Sequence, residues 1–144
     1  MIRITTQGRY ALRAMVDLAI HGKGGPVARS EVAERQGISA DYVAQLFHKL
    51  QAEGLVEGVK GPGGGYRLAR EATAIRAGDV VRAVEGPVLL APCMEVGCEP
   101  CDRMECCETR LFWSRLSEMM RAFLDATTLQ DLVEEAQQGD TAGG

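Results

Sequence analysis

The sequence predicts a mainly α-helical fold that contains one small β-hairpin. Three observations support this prediction. Apolar residues recur at helical spacing along most of the chain, and a short β-branched segment precedes a glycine-rich turn. A long predicted helix near the C-terminus carries an apolar seam along one side. The 144 residues, 46% apolar and 25% charged, suit one globular domain with an appendage.

Three helices are predicted in the N-terminal part. The first covers residues 9–22, where apolar side chains lie near a 3.6-residue period. A short helix follows Ser30 and stops at Gly37. A third begins after Ser39, which is a suitable N-cap, and continues to Gly54.

The second and third helices have the spacing of a helix-turn-helix. The turn between them needs a residue that adopts positive φ, which Gly37 supplies, and Ile38 would fill the angle between the helices. The alternative is a plain helical hairpin in another all-α protein. In a helix-turn-helix, the second helix enters the major groove of DNA. The exposed polar candidates on it are Ser39, Asp41, Gln45, His48 and Lys49.

A β-hairpin is predicted directly after the third helix. Residues 55–59 alternate like a strand, residues 61–65 form a Gly/Pro turn, and residues 66–68 form a second short strand. This order is that of a winged helix-turn-helix. Cations of the wing suit phosphate contact, and its small tip lets backbone N–H groups approach DNA. The wing candidates are Lys60, Arg67, Arg70, Gly63 and Gly64.

Five cysteines lie within fifteen residues, and the rest of the chain has none. Thiols crowded into a polar loop with glycine and proline indicate metal, cluster or redox chemistry rather than core packing. An odd number excludes a complete disulfide framework in one chain, and a cytosolic protein keeps its thiols reduced. The five are Cys93, Cys98, Cys101, Cys106 and Cys107.

A long helix follows the cysteine loop. It is predicted from about Thr109 to Ala126, and a shorter helix over residues 77–86 precedes the loop. The long helix carries an apolar seam of heptad spacing, which favours a homodimer over burial in its own domain alone. The seam consists of Phe112, Leu116, Met119 and Phe123.

The predicted organisation has four parts. A winged helix-turn-helix DNA-binding head is followed by the cysteine loop, by a dimerisation helix with a terminal helix, and by a polar tail that we expect to be disordered. Their bounds are residues 1–86, 87–108, 109–136 and 137–144.

Charge and hydropathy limit the possible functions. Residues 1–90 carry twelve Lys/Arg and nine Asp/Glu, a net of +3, whereas residues 91–144 carry four and eleven, a net of −7. This asymmetry fits nucleic-acid contact confined to the N-terminal part. We expect no membrane segment and no export signal, and hence a cytoplasmic protein. No acid–base constellation stands out, so a cysteine-dependent enzyme is the weakest alternative.

Several sequence strings are specific. They are Gly8-Arg9-Tyr10-Ala11, Ala14-Met15, Glu34-Arg35-Gln36-Gly37-Ile38-Ser39, Gln45-Leu46-Phe47, Gly54-Leu55-Val56 and Gly61-Pro62-Gly63-Gly64-Gly65-Tyr66, with Trp113 six residues past the last cysteine. Over about residues 2–136 the chain therefore resembles the Rrf-two family of winged-helix transcription factors, and in particular its IscR-like iron–sulfur cluster regulators.

The resemblance implies a homodimer that binds a partly palindromic promoter site in double-stranded DNA. It also implies one iron–sulfur cluster per subunit, with two irons or four, held by three cysteines before the dimerisation helix. The presence or redox state of the cluster would change DNA affinity, so that the protein senses iron–sulfur status, redox state or nitric oxide. Matched by position, the three ligands are Cys93, Cys101 and Cys107.

The fourth ligand departs from the family pattern. The usual histidine three residues after the last cysteine is Arg110, which cannot ligate because it stays protonated. The acidic residue that some relatives borrow from the partner subunit is Gly8. The Cys-x-x-Cys spacing of Cys98 and Cys101 makes Cys98 the preferred fourth ligand, with Cys106 in reserve.

A second departure lies in the recognition helix, where Ala44 replaces a glutamate of IscR-like regulators. Loss of this carboxylate removes a base-edge acceptor, so we expect a different or relaxed DNA site. Two alternatives concern the loop. It holds structural zinc, or it is a metal-free thiol switch that uses Cys106 and Cys107 or Cys98 and Cys101.

Overall fold

The computed structural model describes residues 5–87 and 108–143, with side chains as far as residue 139. This part of the chain is helical apart from one two-stranded sheet, as the sequence predicts. No helix in it is long and apolar enough to span a membrane. The elements are α1 (Thr6–His21), α2 (Arg29–Gln36), α3 (Ala40–Ala52), β1 (Val56–Val59), β2 (Gly65–Leu68), α4 (Ala77–Glu85), α5 (Arg110–Ala126) and α6 (Leu129–Gly143).

The turn between α2 and α3 confirms the predicted helix-turn-helix. Gly37 ends α2 in the left-handed region at φ 68°, a conformation that residues with a Cβ rarely adopt. The next N–H, of Ile38, donates to the Ala33 carbonyl at 3.1 Å. Ser39 caps α3 because its hydroxyl oxygen accepts a hydrogen bond from the Tyr42 N–H at 3.1 Å. The two caps fix the angle at which the second helix leaves the first.

The wing is fastened to the segment that precedes α2. Strands β1 and β2 pair antiparallel, and β2 also exchanges two backbone hydrogen bonds with Val27, Val27 N to Tyr66 O at 2.9 Å and Tyr66 N to Val27 O at 2.8 Å. Gly65 lies so close to this segment that a Cβ there would overlap the Val27 carbonyl. The sequence pattern contained no sign of this third partner.

The core lies around α1 and includes the last helix. Leu129 of α6 belongs to the same buried cluster as Met15, Phe47 and residues of α4, and Val133 of α6 is buried as well. The chain segments before α4 and before α6 exchange backbone hydrogen bonds, Ala77 N to Thr127 O at 2.8 Å and Leu129 N to Ile75 O at 2.9 Å. The terminal helix thus completes the head.

Helix α6 is also longer than the sequence predicts. It continues to Gly143, whereas the pattern placed its end at residue 136 and a disordered tail after it. The prediction relied on the polar, Gly-rich composition of residues 137–144. Polar residues and alanine do not break a helix, and one glycine in an exposed helix costs only about 1 kcal/mol relative to alanine. The tail expected to be disordered is therefore helical through residue 143.

Helix α5 meets the head where Gly78 of α4 faces Asp125. A Cβ at Gly78 would overlap the Asp125 carboxylate and lie 2.9 Å from Arg82 Nη1. Arg82 Nη2 pairs with Asp125 Oδ1 at 2.9 Å and with Asp79 Oδ1 at 3.2 Å. Hydrogen bonding to Asp125 raises the pKa of the Arg82 guanidinium. This junction sets the direction in which α5 leaves the head.

Candidate nucleic-acid interface

Helix α3 presents one polar face to solvent. Its opposite face is buried through Val43, Leu46, Phe47 and Leu50. The predicted contact residues at positions 41, 45, 48 and 49 are spaced i, i+4, i+7 and i+8, which places them on one side of a helix. All four are exposed, so the structure brings together Asp41, Gln45, His48 and Lys49.

Two candidates on α3 also have contacts within the protein. The Ser39 hydroxyl, exposed at the start of the helix, is the N-cap acceptor described above. Lys49 Nζ donates to Gln7 Oε1 of α1 at 2.7 Å. Ser39 still has its hydroxyl proton to donate, whereas Lys49 is held against the first turn of α1.

The tip of the wing is a glycine turn that only small residues can form. Gly61 and Gly63 have φ of 92° and 74°, and the Gly64 N–H donates to the Gly61 carbonyl at 2.9 Å. A Cβ at Gly64 would overlap the Val59 carbonyl oxygen. With no side chain at these positions, the backbone of the tip can approach a groove or a phosphate closely.

The three predicted wing cations do not form one cluster. Arg67 pairs across the strands with Glu57, Nε to Oε2 at 2.9 Å, so its charge is partly neutralised. Arg67 and Arg70 line a cleft of about 470 Å³ that also includes Lys23. Lys60 lies apart from them, in a different recess.

The recess beside Lys60 contains two residues that the sequence analysis missed. Arg29, at the start of α2, and Gln51, near the end of α3, line a volume of about 400 Å³ together with Lys60. The one sequence signal that could have indicated Arg29 is its positive charge directly before the predicted first helix of the helix-turn-helix. Its closeness to the wing follows from the Val27–Tyr66 pairing, which the pattern did not reveal.

Helix α5 exposes a row of large apolar side chains. Phe112 is 58% exposed, Met119 70% and Phe123 72%, while Leu116 is half-buried. Leu111, at 62%, widens the row. A contiguous apolar face of this kind marks an interaction surface.

The predicted metal ligands lie outside the described residues, so their geometry is not part of this structure. They are Cys93, Cys98, Cys101, Cys106 and Cys107. In the remainder of the chain, over residues 5–87 and 108–139, no group of three or more His, Cys, Asp or Glu side chains is placed to hold a metal ion.

Comparison with known proteins gives consistent matches along the chain. A family model described as Rrf2, iron-dependent transcriptional regulator, matches residues 4–135. The HTH-type transcriptional regulator IscR of Yersinia enterocolitica is 46% identical over 133 residues, which cover 92% of this chain and 79% of the relative.

Solved structures of similar proteins agree with this match. CymR, described as the global cysteine regulator of B. subtilis, matches with a TM-score of 0.80 and 36% identity, covering 94% of this chain and 98% of that one. T. potens IscR matches with a TM-score of 0.78 and 35% identity, covering 96% and 90%.

Proposed function

This chain belongs to the Rrf2 family of transcriptional regulators, and we propose that it acts as a homodimer whose promoter binding is controlled by an iron–sulfur cluster held in residues 87–108. The observation that carries the DNA-binding part is the exposed polar face of α3 beside a glycine-tipped wing. In this arrangement Gln45 and Asp41 face base edges, while Lys60 contacts the phosphate backbone.

The exposed apolar row on α5 supports the homodimer. Association of two such helices would remove Phe112, Met119 and Phe123 from water. Burial of apolar surface stabilises the dimer by about 25 cal/mol for each Å². A two-fold dimer also presents two recognition helices to the two halves of a partly palindromic site, spaced by about one turn of DNA. Because the Gly78–Asp125 junction fixes α5 on the head, the dimer interface sets this spacing.

The donor set of the loop supports an iron–sulfur cluster. Cysteine thiolates are the usual ligands of such clusters, which supply a redox-active and oxidant-sensitive group when bound. We propose Cys93, Cys101 and Cys107 as ligands, Cys98 as the fourth and Cys106 as the reserve. The family description, iron-dependent regulator, and the similarity to IscR support the same assignment.

A metal-free thiol switch is the second candidate. It is favoured by the similarity to CymR of Staphylococcus aureus, which has been solved in an oxidised form, with 34% identity and a TM-score of 0.75. It uses the same thiols and the same DNA-binding face, so the two candidates differ in the loop alone. Structural zinc in the loop is a third arrangement, and it is colourless and redox-silent.

The test is anaerobic purification followed by promoter binding. Wild-type protein should be coloured, with absorption near 400 nm, and bind a partly palindromic promoter fragment with different affinity with and without the cluster at one fixed salt concentration. Alanine in place of Cys93, Cys101 or Cys107 should remove the colour. Alanine in place of Cys98 should weaken the colour, and alanine in place of Cys106 should leave the colour unchanged.

Other outcomes select other functions. Colourless protein that contains zinc supports the structural-zinc arrangement. Equal promoter affinity with and without iron, together with loss of binding on thiol alkylation, supports the thiol switch. Absence of sequence-specific DNA binding in every state contradicts the regulator itself.

A further inference from the structure

The recess between α2, α3 and the wing has the features of an anion site. It is lined by Arg29, Gln51, Lys60 and Tyr66, together with Gly58, Val59 and Gly65 of the two strands. We call this recess the basic notch. Arg29 comes from the first helix of the helix-turn-helix, Gln51 from the second and Lys60 from the wing, so it joins all three DNA-facing elements.

The charge of the notch is positive. None of its lining residues is acidic, although the chain as a whole has a formal net charge of −4. Both Arg29 and Lys60 are exposed, and neither has an ion pair or hydrogen bond with the described residues. Arg67, by contrast, already has Glu57 as a partner. As far as residues 5–87 and 108–139 are concerned, the two cations of the notch are therefore available to bind an anion.

The walls of the notch are held in place before any ligand binds. Gly65 is packed against the Val27 carbonyl, and the paired backbone hydrogen bonds between Val27 and Tyr66 tie the wing to the start of α2. On the other wall, a Cβ at Gly58 would lie 2.9 Å from Gln51 Nε2, so β1 is close to the end of α3. A preformed site of this kind loses little conformational entropy on binding.

We propose that the basic notch binds one phosphate of the DNA backbone, with Arg29 and Lys60 as its two cations and the Gln51 amide as a further donor. This inference rests on the proposed function. A single phosphate held by two helices and the wing fixes the position of the recognition helix along the duplex without reading sequence. The notch is a positioning site, whereas Gln45 and Asp41 face the bases.

The first test is the salt dependence of promoter binding by full-length dimer. Each phosphate contact contributes about −0.9 to the slope of log K against log salt concentration, and a dimer has two notches. The double variant R29A/K60A should lower the magnitude of the slope by about 1.8. A decrease of about 3.6 would mean that the cations bind separate phosphates, and no decrease would mean that they bind none; either result overturns the proposal.

The control is Arg9→Ala, which removes an exposed arginine from a groove between α1 and α6, on another part of the surface. Its slope should equal that of the wild type. A decrease for Arg9→Ala equal to that for R29A/K60A would show a general charge effect and overturn the assignment of a site.

The second test locates the phosphate. Each duplex in a series carries one neutral methylphosphonate in place of a backbone phosphate. At one position per half-site, this replacement should weaken binding by the wild type but leave binding by R29A/K60A unchanged. Loss at the same positions for both proteins contradicts the notch. If the wild type binds no DNA, both this inference and the proposed function are overturned. If the wild type binds normally and the double variant binds with the same salt dependence, the notch alone is overturned.

Discussion

Asp17 of α1 and Arg35 of α2 form an ion pair with two hydrogen bonds, Nε to Oδ2 at 2.9 Å and Nη2 to Oδ1 at 2.8 Å. The Asp17 residue is 3% exposed, and Gln36 Nε2 donates a third hydrogen bond to it at 2.9 Å. Hydrogen bonding to Asp17 raises the pKa of the Arg35 guanidinium, so this side chain stays charged. It fastens the helix-turn-helix to the core.

Removal of Arg35 should therefore destabilise the head. Arg35→Ala leaves the buried Asp17 carboxylate with Gln36 alone, and we expect the free energy of unfolding to fall by about 2–4 kcal/mol. Urea unfolding at fixed protein concentration measures it. The control is Glu31→Ala, because Glu31 is exposed and lies 3.9 Å from Arg35 Nη1. This change should lower the free energy of unfolding by less than about 0.5 kcal/mol. Equal costs for the two variants would contradict the role of the pair.

The α3 face predicts a change of sequence preference at one base position. Gln45→Ala should reduce discrimination at the contacted base by about 1–3 kcal/mol and leave binding to non-specific DNA nearly unchanged. Fluorescence anisotropy with promoter variants that differ at single positions measures the effect. His21→Ala, an exposed change at the end of α1, is the control. A uniform loss on every sequence would place Gln45 on phosphate instead.

If the apolar row on α5 forms the dimer interface, a charged side chain placed in this row should convert the dimer into a monomer. Phe123→Glu places a carboxylate at a position that is 72% exposed in one subunit, so the subunit should fold while the dimer dissociates. Light scattering after size-exclusion chromatography should give half the wild-type mass, and promoter affinity should fall at least tenfold. Thr73→Glu, exposed elsewhere on the head, should remain dimeric. A dimeric Phe123→Glu variant would exclude this face as the interface.

The close packing at the α4–α5 junction predicts that a methyl group added at Gly78 lowers the stability of the protein. Gly78→Ala places a methyl group against Asp125 and disturbs the ion pair with Arg82, so we expect a loss of about 1–3 kcal/mol. The matched change Gly139→Ala has open space and should be neutral or stabilise by up to about 1 kcal/mol. Thermal unfolding of both variants at one concentration compares them. If the two changes shift unfolding alike, the junction tolerates a side chain.

Local signals made most of the fold predictable. The period of apolar residues located the helices, and Gly37 and Ser39 marked the helix-turn-helix with the caps that the structure shows. These signals act over a few residues, so one sequence contains them. The exposed face of α3 followed from the same period, because the buried positions leave the polar ones outside.

The remaining features depend on contacts between distant residues. Asp17 looks like any polar residue on α1, and its burial depends on Arg35 from the next helix. The pairing of Val27 with Tyr66, which forms the basic notch, and the insertion of Leu129 into the head core have no local signature either. The extension of α6 past residue 136 was missed for a local reason, because the polar composition of its end resembles a tail although its helix propensity permits a helix.

The burial of Leu129 has a consequence for synthesis on the ribosome. The DNA-binding head lacks part of its core, and the hydrogen bonds of Ile75 and Ala77, until the residues of α6 have emerged from the exit tunnel. All five cysteines precede α6 in the chain. A nascent chain whose head has its complete core therefore already carries the cysteine segment.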